Sequence, residues 1–372
     1  MKGTPVIPPV YLTATYQFDQ TDDLIDVVQN REGYIYSRWD NPSVVEVEKA
    51  LSRIEGYQHG LGFSSGMAAI TTAVMAFVKS GDRIVSTREV YGGTHELFNG
   101  ILPQLGIHAS FVNCWNVEGL LAEIDKGLSI LYLESPTNPL LRIVDIQPLA
   151  EAARARGAVV ILDSTFASPV NQHPRDLGVD VVIHSATKYL GGHHDVTAGL
   201  VCCDTQHYDL IWTRRKIFGG VMDPMSAFLI LRGMQTLELR IHRQNESALA
   251  IAEHLQTRSE IKQVNYPGLK SHPDHEAAKR QMSGFGGMLS FELNCDFDLT
   301  KAFMDRLMKI KLATSLGGVT SLATQPITNT HVSLSPEDRA KAGVSESLVR
   351  LSVGVEPVEQ LIDDLNRALE RI

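Results

Sequence analysis

The chain has 372 residues, 44% of them hydrophobic and 21% charged, ordinary globular proportions with room for two domains, which excludes disordered and fibrous classes. Its 34 lysines and arginines stand against 43 acidic residues, a formal charge of −9, so no global positive field exists to hold nucleic acid. Cys114, Cys202, Cys203 and Cys295 form no CxxC pair, and no secretory leader or eighteen-residue apolar run is found. The expectation is a cytoplasmic protein with reduced thiols and neither nucleic-acid nor membrane partners.

Residues 1–40 carry Pro5, Pro8, Pro9 and several aromatics without a sustained period and read as an extended arm. From Asn41-Pro42-Ser43 onward, Val44, Val47, Leu51 and Ile54 recur at steps of three and four, which predicts an amphipathic helix capped by Ser43 and stopped by Gly56. Residues 41–240 then alternate short apolar runs with helix-length stretches. The runs are Arg83 to Ser86, Ile130 to Leu133, Val159 to Leu162, Val181 to His184 and Gly199 to Val201. This alternation predicts an α/β domain with a doubly wound, mostly parallel sheet. Adjacent Cys202 and Cys203 should point to opposite faces of the last strand. Residues 241–372, with a charged amphipathic stretch from Thr236 to Leu255, a strand-like Gly287 to Leu293 and a final helix from Pro357, predict a smaller α+β domain.

Ligands of open α/β sheets bind beyond the carboxyl ends of the strands, which singles out four places. Gly60 to Ala69 opens a helix with small residues, and exposed N–H groups there make an anion site, though a plain turn and cap is equally open. Asp163 ends an apolar strand and must face a cation or several donors, unless it only caps a helix. Lys188 follows the strand Val181 to His184 between hydroxyls and glycines, where a desolvated amine has a lowered pKa and forms Schiff bases. Arg350 interrupts an alternating apolar strand, the usual setting of a carboxylate clamp or of an internal salt bridge. Together an anion cradle, an aspartate, a nucleophilic lysine and a carboxylate clamp match pyridoxal 5'-phosphate plus an amino acid.

Six segments in order now give the chain a resemblance to the Cys/Met-metabolism, or trans-sulfuration, family of fold-type-I pyridoxal-phosphate enzymes. They are Tyr36-Ser37-Arg38 with Asn41-Pro42, Ser64 to Ala69, Tyr91 to Thr94, Glu134 to Pro139, Asp163 to Ala167 and Ser185 to Tyr189. The resemblance implies that Lys188 bonds the cofactor aldehyde, Asp163 pairs the pyridine nitrogen, and Gly66, Met67, Ser185 and Thr187 hold the phosphate. It further implies that Tyr91 stacks on the ring and exchanges a proton at the leaving group. Arg350, helped by the backbone around Ser315, would hold the substrate carboxylate, and Asn138 would touch the cofactor's phenolic oxygen or the substrate. Tyr36 and Arg38 would reach the phosphate of a neighbouring subunit, so the active unit is at least a dimer and, by the family pattern, a tetramer. His193-His194-Asp195 and His272-Pro273-Asp274-His275 offer possible metal ligands, but the family needs no metal and none is expected.

The implied chemistry is γ-elimination from a homoserine-type amino acid, with γ-replacement as the alternative and a catalytically silent α/β binding protein as a remote one. Thr314 stands where many cystathionine-handling members have a glutamate for the distal ammonium, and Gly93 where methionine γ-lyases have a cysteine. Trp39-Asp40 before Asn41 departs from the family pattern and suggests an altered distal pocket. The stretch Ser271 to Met282, however, is similar to plant-type γ-synthases, which leaves replacement close behind.

Overall fold

The computed structural model describes residues 3–328, 343–370 and 372. Seven strands form the larger sheet: β1 (His59–Phe63), β2 (Arg83–Thr87), β3 (His108–Val112), β4 (Ile130–Glu134), β5 (Val159–Asp163), β6 (Val181–His184) and β7 (Gly199–Cys203). They lie in the order β1-β7-β6-β5-β4-β2-β3, and β7 alone runs antiparallel to its neighbours. Strand β4 is buried along its whole length, as a sheet covered on both faces requires. Its residues divide by alternation: Ile130 and Tyr132 join one core, Leu131 and Leu133 another. Cys202 and Cys203 likewise enter opposite cores, and all four cysteines are free thiols.

Three N-terminal helices prepare the site. Residues expected to be extended form helix α1 (Thr21–Asn30), which buries none of its side chains. Its apolar residues Leu24, Ile25, Val27 and Val28 span too few positions to reveal a helical period in the sequence. Helix α2 (Pro42–Glu55) starts two residues earlier than a Ser43 cap would set it, because Pro42 is pre-shaped for the first helical position. Asn41 is the cap, accepting the Ser43 amide at 2.9 Å, while Ser43 Oγ accepts the Tyr11 amide and ties the arm to the helix. Helix α3 (Gly66–Phe77) follows β1 directly.

The smaller sheet, order β10-β11-β12-β9-β8, holds β8 (Ile261–Asn265), β9 (Met288–Leu293), β10 (Lys311–Leu312), β11 (Leu322–Thr324) and β12 (Leu348–Ser352). The helix Leu237–Gln256 joins the two sheets. Its first turns put Leu237 and Ile241 in a core with Tyr189 and Leu190, whereas Ala248, Ile251 and Leu255 pack with Leu289 and Phe291 of β9.

A buried charge cluster fixes the arm on the large domain. Arg215 donates to Glu48 of α2, to Asp40 at 2.8 Å and to the Trp39 carbonyl at 2.9 Å, and Trp212 Nε1 also donates to Asp40. Trp39 meets Trp212 edge-on, with Lys216 over both rings. Trp39 and Asp40 are thereby tied into this cluster. Burial pushes the Glu48 carboxyl up against the pull of Arg215, so the pair depends on the guanidinium. Arg215→Met keeps the volume and strands Glu48, and should cost about 3–5 kcal/mol in urea unfolding; a loss below about 1 kcal/mol would mean Glu48 simply takes up a proton.

Candidate active site

The site lies at the carboxyl ends of β1, β4, β5 and β6. At the start of α3, Ser65 Oγ accepts the Ala68 amide at 3.0 Å, and the Ala69 amide bonds the Ser65 carbonyl. The amides of Gly66 and Met67 have no acceptor among the described residues, and they are the orphan donors that a helix start directs at an anion. A Cβ on Gly66 would come within 3.0 Å of Ser185 Cβ and Oγ, so glycine is what lets helix and β6 meet. Ser185 Oγ has no hydrogen-bond partner among the described residues and, with these amides, could hold a phosphate. Thr187 lies beside it, but its hydroxyl already accepts the Ala198 amide at 3.0 Å and donates to the Ala198 carbonyl at 3.3 Å.

Asp163 ends β5 with its carboxylate buried. Oδ1 accepts the Thr165 amide at 3.0 Å and the Thr165 hydroxyl at 2.5 Å, and that same hydroxyl accepts the Ser185 amide at 2.8 Å. Thr165 thus locks the aspartate to the phosphate cradle, while Oδ2 is left without a partner among the described residues. Burial raises the Asp163 pKa, opposed by the Thr165 bonds and the charges of His184 and Lys188. Glu134 lies beside it in register on β4 and accepts the Tyr91 amide at 2.7 Å. Burial, then the neighbouring Asp163, pushes Glu134 well above the usual carboxylate range, so the two acids disfavour each other's charge. Held by that amide, the Tyr91 side chain is 48% exposed and stands free in the cleft. A Cβ at Gly93 would lie 2.8 Å from Tyr91 Cε1 and 3.0 Å from Met67 Sδ, so a larger residue there would displace the phenol.

Lys188 donates from Nζ to Ser315 Oγ at 3.1 Å. Burial and the nearby Arg350 lower its pKa to about 8, against the opposing pull of Asp163. Arg350, on β12, is 3% exposed and has no carboxylate partner among the described residues, which removes the internal salt bridge. It donates from Nη1 to Asn138 Oδ1 and from Nη2 to the Ser315 carbonyl, both at 3.0 Å, and its Nε is unpaired. Burial lowers its pKa to about 10. Buried Arg240 makes the contrast: it too lacks a carboxylate, but Nη1, Nη2 and Nε are all taken, by Tyr189 O, Gly233 O and Thr236 Oγ1. Ser315 sits at φ +83°, a strained value for a residue with a side chain, of the kind that collects at functional sites.

Thr314 is exposed beside this group. Tyr36 and Arg38 stand apart, Arg38 donating to the Lys216 carbonyl at 2.7 Å and lying over the Tyr36 ring. Among the described residues no three His, Cys, Asp or Glu side chains converge as metal ligands. Sequence reasoning did not single out Thr165 or Glu134, although both lie inside segments it quoted; a hydroxyl two residues past Asp163 and a second acid ending the adjacent strand were the available signals.

An anion cradle, a half-satisfied buried carboxylate, a lysine near pKa 8 and an uncompensated guanidinium on one sheet edge define a pyridoxal-phosphate-dependent enzyme of amino acids. The chain belongs to the Cys/Met metabolism PLP-dependent enzyme family, whose model matches residues 2–370. It is 42% identical over 369 residues to cystathionine gamma-synthase 1 (chloroplastic) of Arabidopsis thaliana, covering 99% of this chain and 66% of that protein. It is also 40% identical to the cystathionine gamma-lyase of Bacillus subtilis, over 100% of this chain and 96% of that one. The structure of cystathionine gamma synthase from Xanthomonas oryzae in complex with cystathionine superposes with TM-score 0.94 at 38% identity, covering 98% of this chain and 93% of that chain. The fold is that of fold-type-I enzymes, pyridoxal phosphate is the cofactor, and no described helix is long and apolar enough to cross a membrane.

Two measurements test this geometry. If the neutral amine of Lys188 captures the cofactor aldehyde, its lowered pKa means that capture by the apoprotein should quicken as pH rises through about 8 and then level off. A rate that still climbs toward an ordinary lysine value of about 10.4 would contradict the burial argument. Thr165→Val removes the hydroxyl shared by Asp163 and Ser185 and should weaken cofactor retention about tenfold, followed by dialysis and absorbance.

Proposed function

We propose that the protein eliminates the γ-substituent of a homoserine-type L-amino acid, releasing an α-keto acid, ammonia and the substituent. Arg350 carries this reading: a buried guanidinium without a carboxylate, next to the lysine, awaits one α-carboxylate. Binding the substrate supplies the missing counter-charge.

Pyridoxal phosphate, when bound, supplies the electron sink that makes the Cα and Cβ protons removable. Gly66 and Met67 offer amides and Ser185 a hydroxyl to the phosphate, with Thr187 beside them turning its hydroxyl to it once released from Ala198, while the free oxygen of Asp163 keeps the pyridine nitrogen protonated. Lys188 holds the cofactor aldehyde until the substrate amine replaces it. With a pKa of about 8 it then moves the Cα proton, aimed by Ser315 Oγ. Tyr91, fixed through its amide by Glu134, gives a proton to the departing γ-group. Tyr36 and Arg38 serve the phosphate of a second copy, which makes a dimer the smallest active unit and a tetramer its assembly.

The choice of elimination rests on Thr314 and Arg350. Thr314 brings no carboxylate to a second ammonium, and the described residues around Ser315 offer one buried clamp rather than two. γ-Replacement is the second reading, favoured by the likeness to the plant and Xanthomonas synthases. The deciding assay follows keto acid and ammonia from cystathionine, methionine, homocysteine, canavanine and O-acylated or O-phosphorylated homoserine, with and without cysteine. Keto acid without thiol is the expected result; product formed only when cysteine is present and incorporated would replace elimination by synthesis. No turnover of any of these compounds by the yellow holoenzyme would remove both.

A further inference from the structure

The turn that carries Asn138 is braced from the C-terminal domain by the segment Ser271 to Met282. Asp274 accepts Arg142 Nε at 2.5 Å on Oδ2 and Arg142 Nη2 at 2.9 Å on Oδ1, and Oδ2 also accepts the Ile143 amide at 3.0 Å. The two side chains are only 19% and 15% exposed, so water screens the pair weakly. Arg142 further lies 4.8 Å over the Trp115 ring. The Asp274 amide donates to His272 Nδ1 at 3.2 Å, which places that ring's proton on the buried Nε2, turned toward the Leu140 carbonyl. Burial lowers the His272 pKa to about 4, so the ring is neutral and adds no charge to the pair.

Inside the turn every hinge is closed. The Thr137 amide donates to the Arg142 carbonyl at 2.9 Å, the Arg142 amide to Thr137 Oγ1 at 3.1 Å and the Leu141 amide to the Thr137 carbonyl at 3.0 Å. Leu141 is buried at φ +55°. Arg142 is thereby the point where backbone and brace meet, and Asn138, held between these bonds, presents Oδ1 to Arg350 Nη1.

We propose that Asp274 is a positioning residue for substrate recognition: by holding Arg142 it fixes the Thr137–Arg142 turn and so the Asn138 oxygen that aims Arg350 at the α-carboxylate. The inference rests on the reading of Arg350 given above. It assigns Asp274 no contact with cofactor or substrate. Its loss should therefore touch carboxylate recognition and spare the cofactor, whose phosphate cradle and Asp163 lie on other elements.

The test uses the holoenzyme and two probes, glycine and methylamine, which differ by the carboxylate, with binding read from the change in the cofactor's visible band. Asp274→Ala and Arg142→Gln should each weaken glycine about ten- to hundredfold, the penalty of a small misplacement. Methylamine should stay within about twofold in both, and the double variant should be no worse than either single one, since both act through one link. Asp274→Asn keeps an acceptor for Arg142 and should fall between. Substrate turnover should show a raised KM with a nearly unchanged kcat. Glycine affinity unchanged, both probes weakened alike, or additive losses would each overturn the proposal. Arg350→Ala is the control: if it abolishes discrimination between the probes while Asp274→Ala preserves it, the brace alone fails. If Arg350→Ala leaves discrimination intact, the carboxylate clamp fails and the brace with it.

Discussion

Arg350 sits in a central strand of the smaller sheet with its guanidinium removed from water and no acid beside it among the described residues, a placement that costs several kcal/mol unless a carboxylate joins it. Lys188 is buried nearby, and burial together with the Arg350 charge lowers its affinity for a proton against the pull of Asp163. Opposite them Asp163 and Glu134 are two adjacent buried acids, each with its pKa raised by burial. The cleft thus gathers ionic groups left without full partners among the described residues, which a pyridinium, a phosphate and a carboxylate would complement. Affinity for cofactor and substrate is, on this view, stability the folded chain withheld from itself.

Holding such groups in place requires stiff surroundings, and hydrogen bonds supply them. Thr165 joins the end of β5 to the residue after β6, Glu134 joins the end of β4 to the Tyr91 backbone, and Arg350 itself bonds Asn138 and the strained Ser315. Each link ties together elements distant in sequence, so the site behaves as one piece. The larger sheet provides the cofactor side and the smaller sheet the carboxylate side, and the residues that meet between them are Lys188 and Ser315.

Much of this was legible in the sequence wherever a residue was out of character. A lysine, an aspartate and an arginine at the ends or middle of apolar strands advertise themselves, because burying them is costly enough to demand a reason. The apolar runs of β2, β4, β5, β6 and β7 were equally plain. Strands β1 and β3 were not: His59–Phe63 carries two glycines and β3 mixes His108 and Ser110 with apolar residues, so neither shows a strand period. The helix at Thr21–Asn30 hid among prolines, and the Asn41 cap hid behind Pro42. Residues that act at a distance in sequence were the least visible. Nothing local to Asp40 says that it meets Arg215, and nothing local to Arg142 says that it meets Asp274.

The helix Leu237–Gln256 bears on how the chain is made. The last strand of the larger sheet is complete at Cys203, yet the core beneath that sheet also takes Leu237 and Ile241 from this helix and Met288 and Leu316 from beyond it. A nascent chain leaving the ribosome therefore carries a full set of central strands over an unfinished interior until most of the protein has been synthesised. Its apolar strand faces must be sheltered through that interval, which makes the time between residues 203 and 316 the vulnerable stage of its biosynthesis.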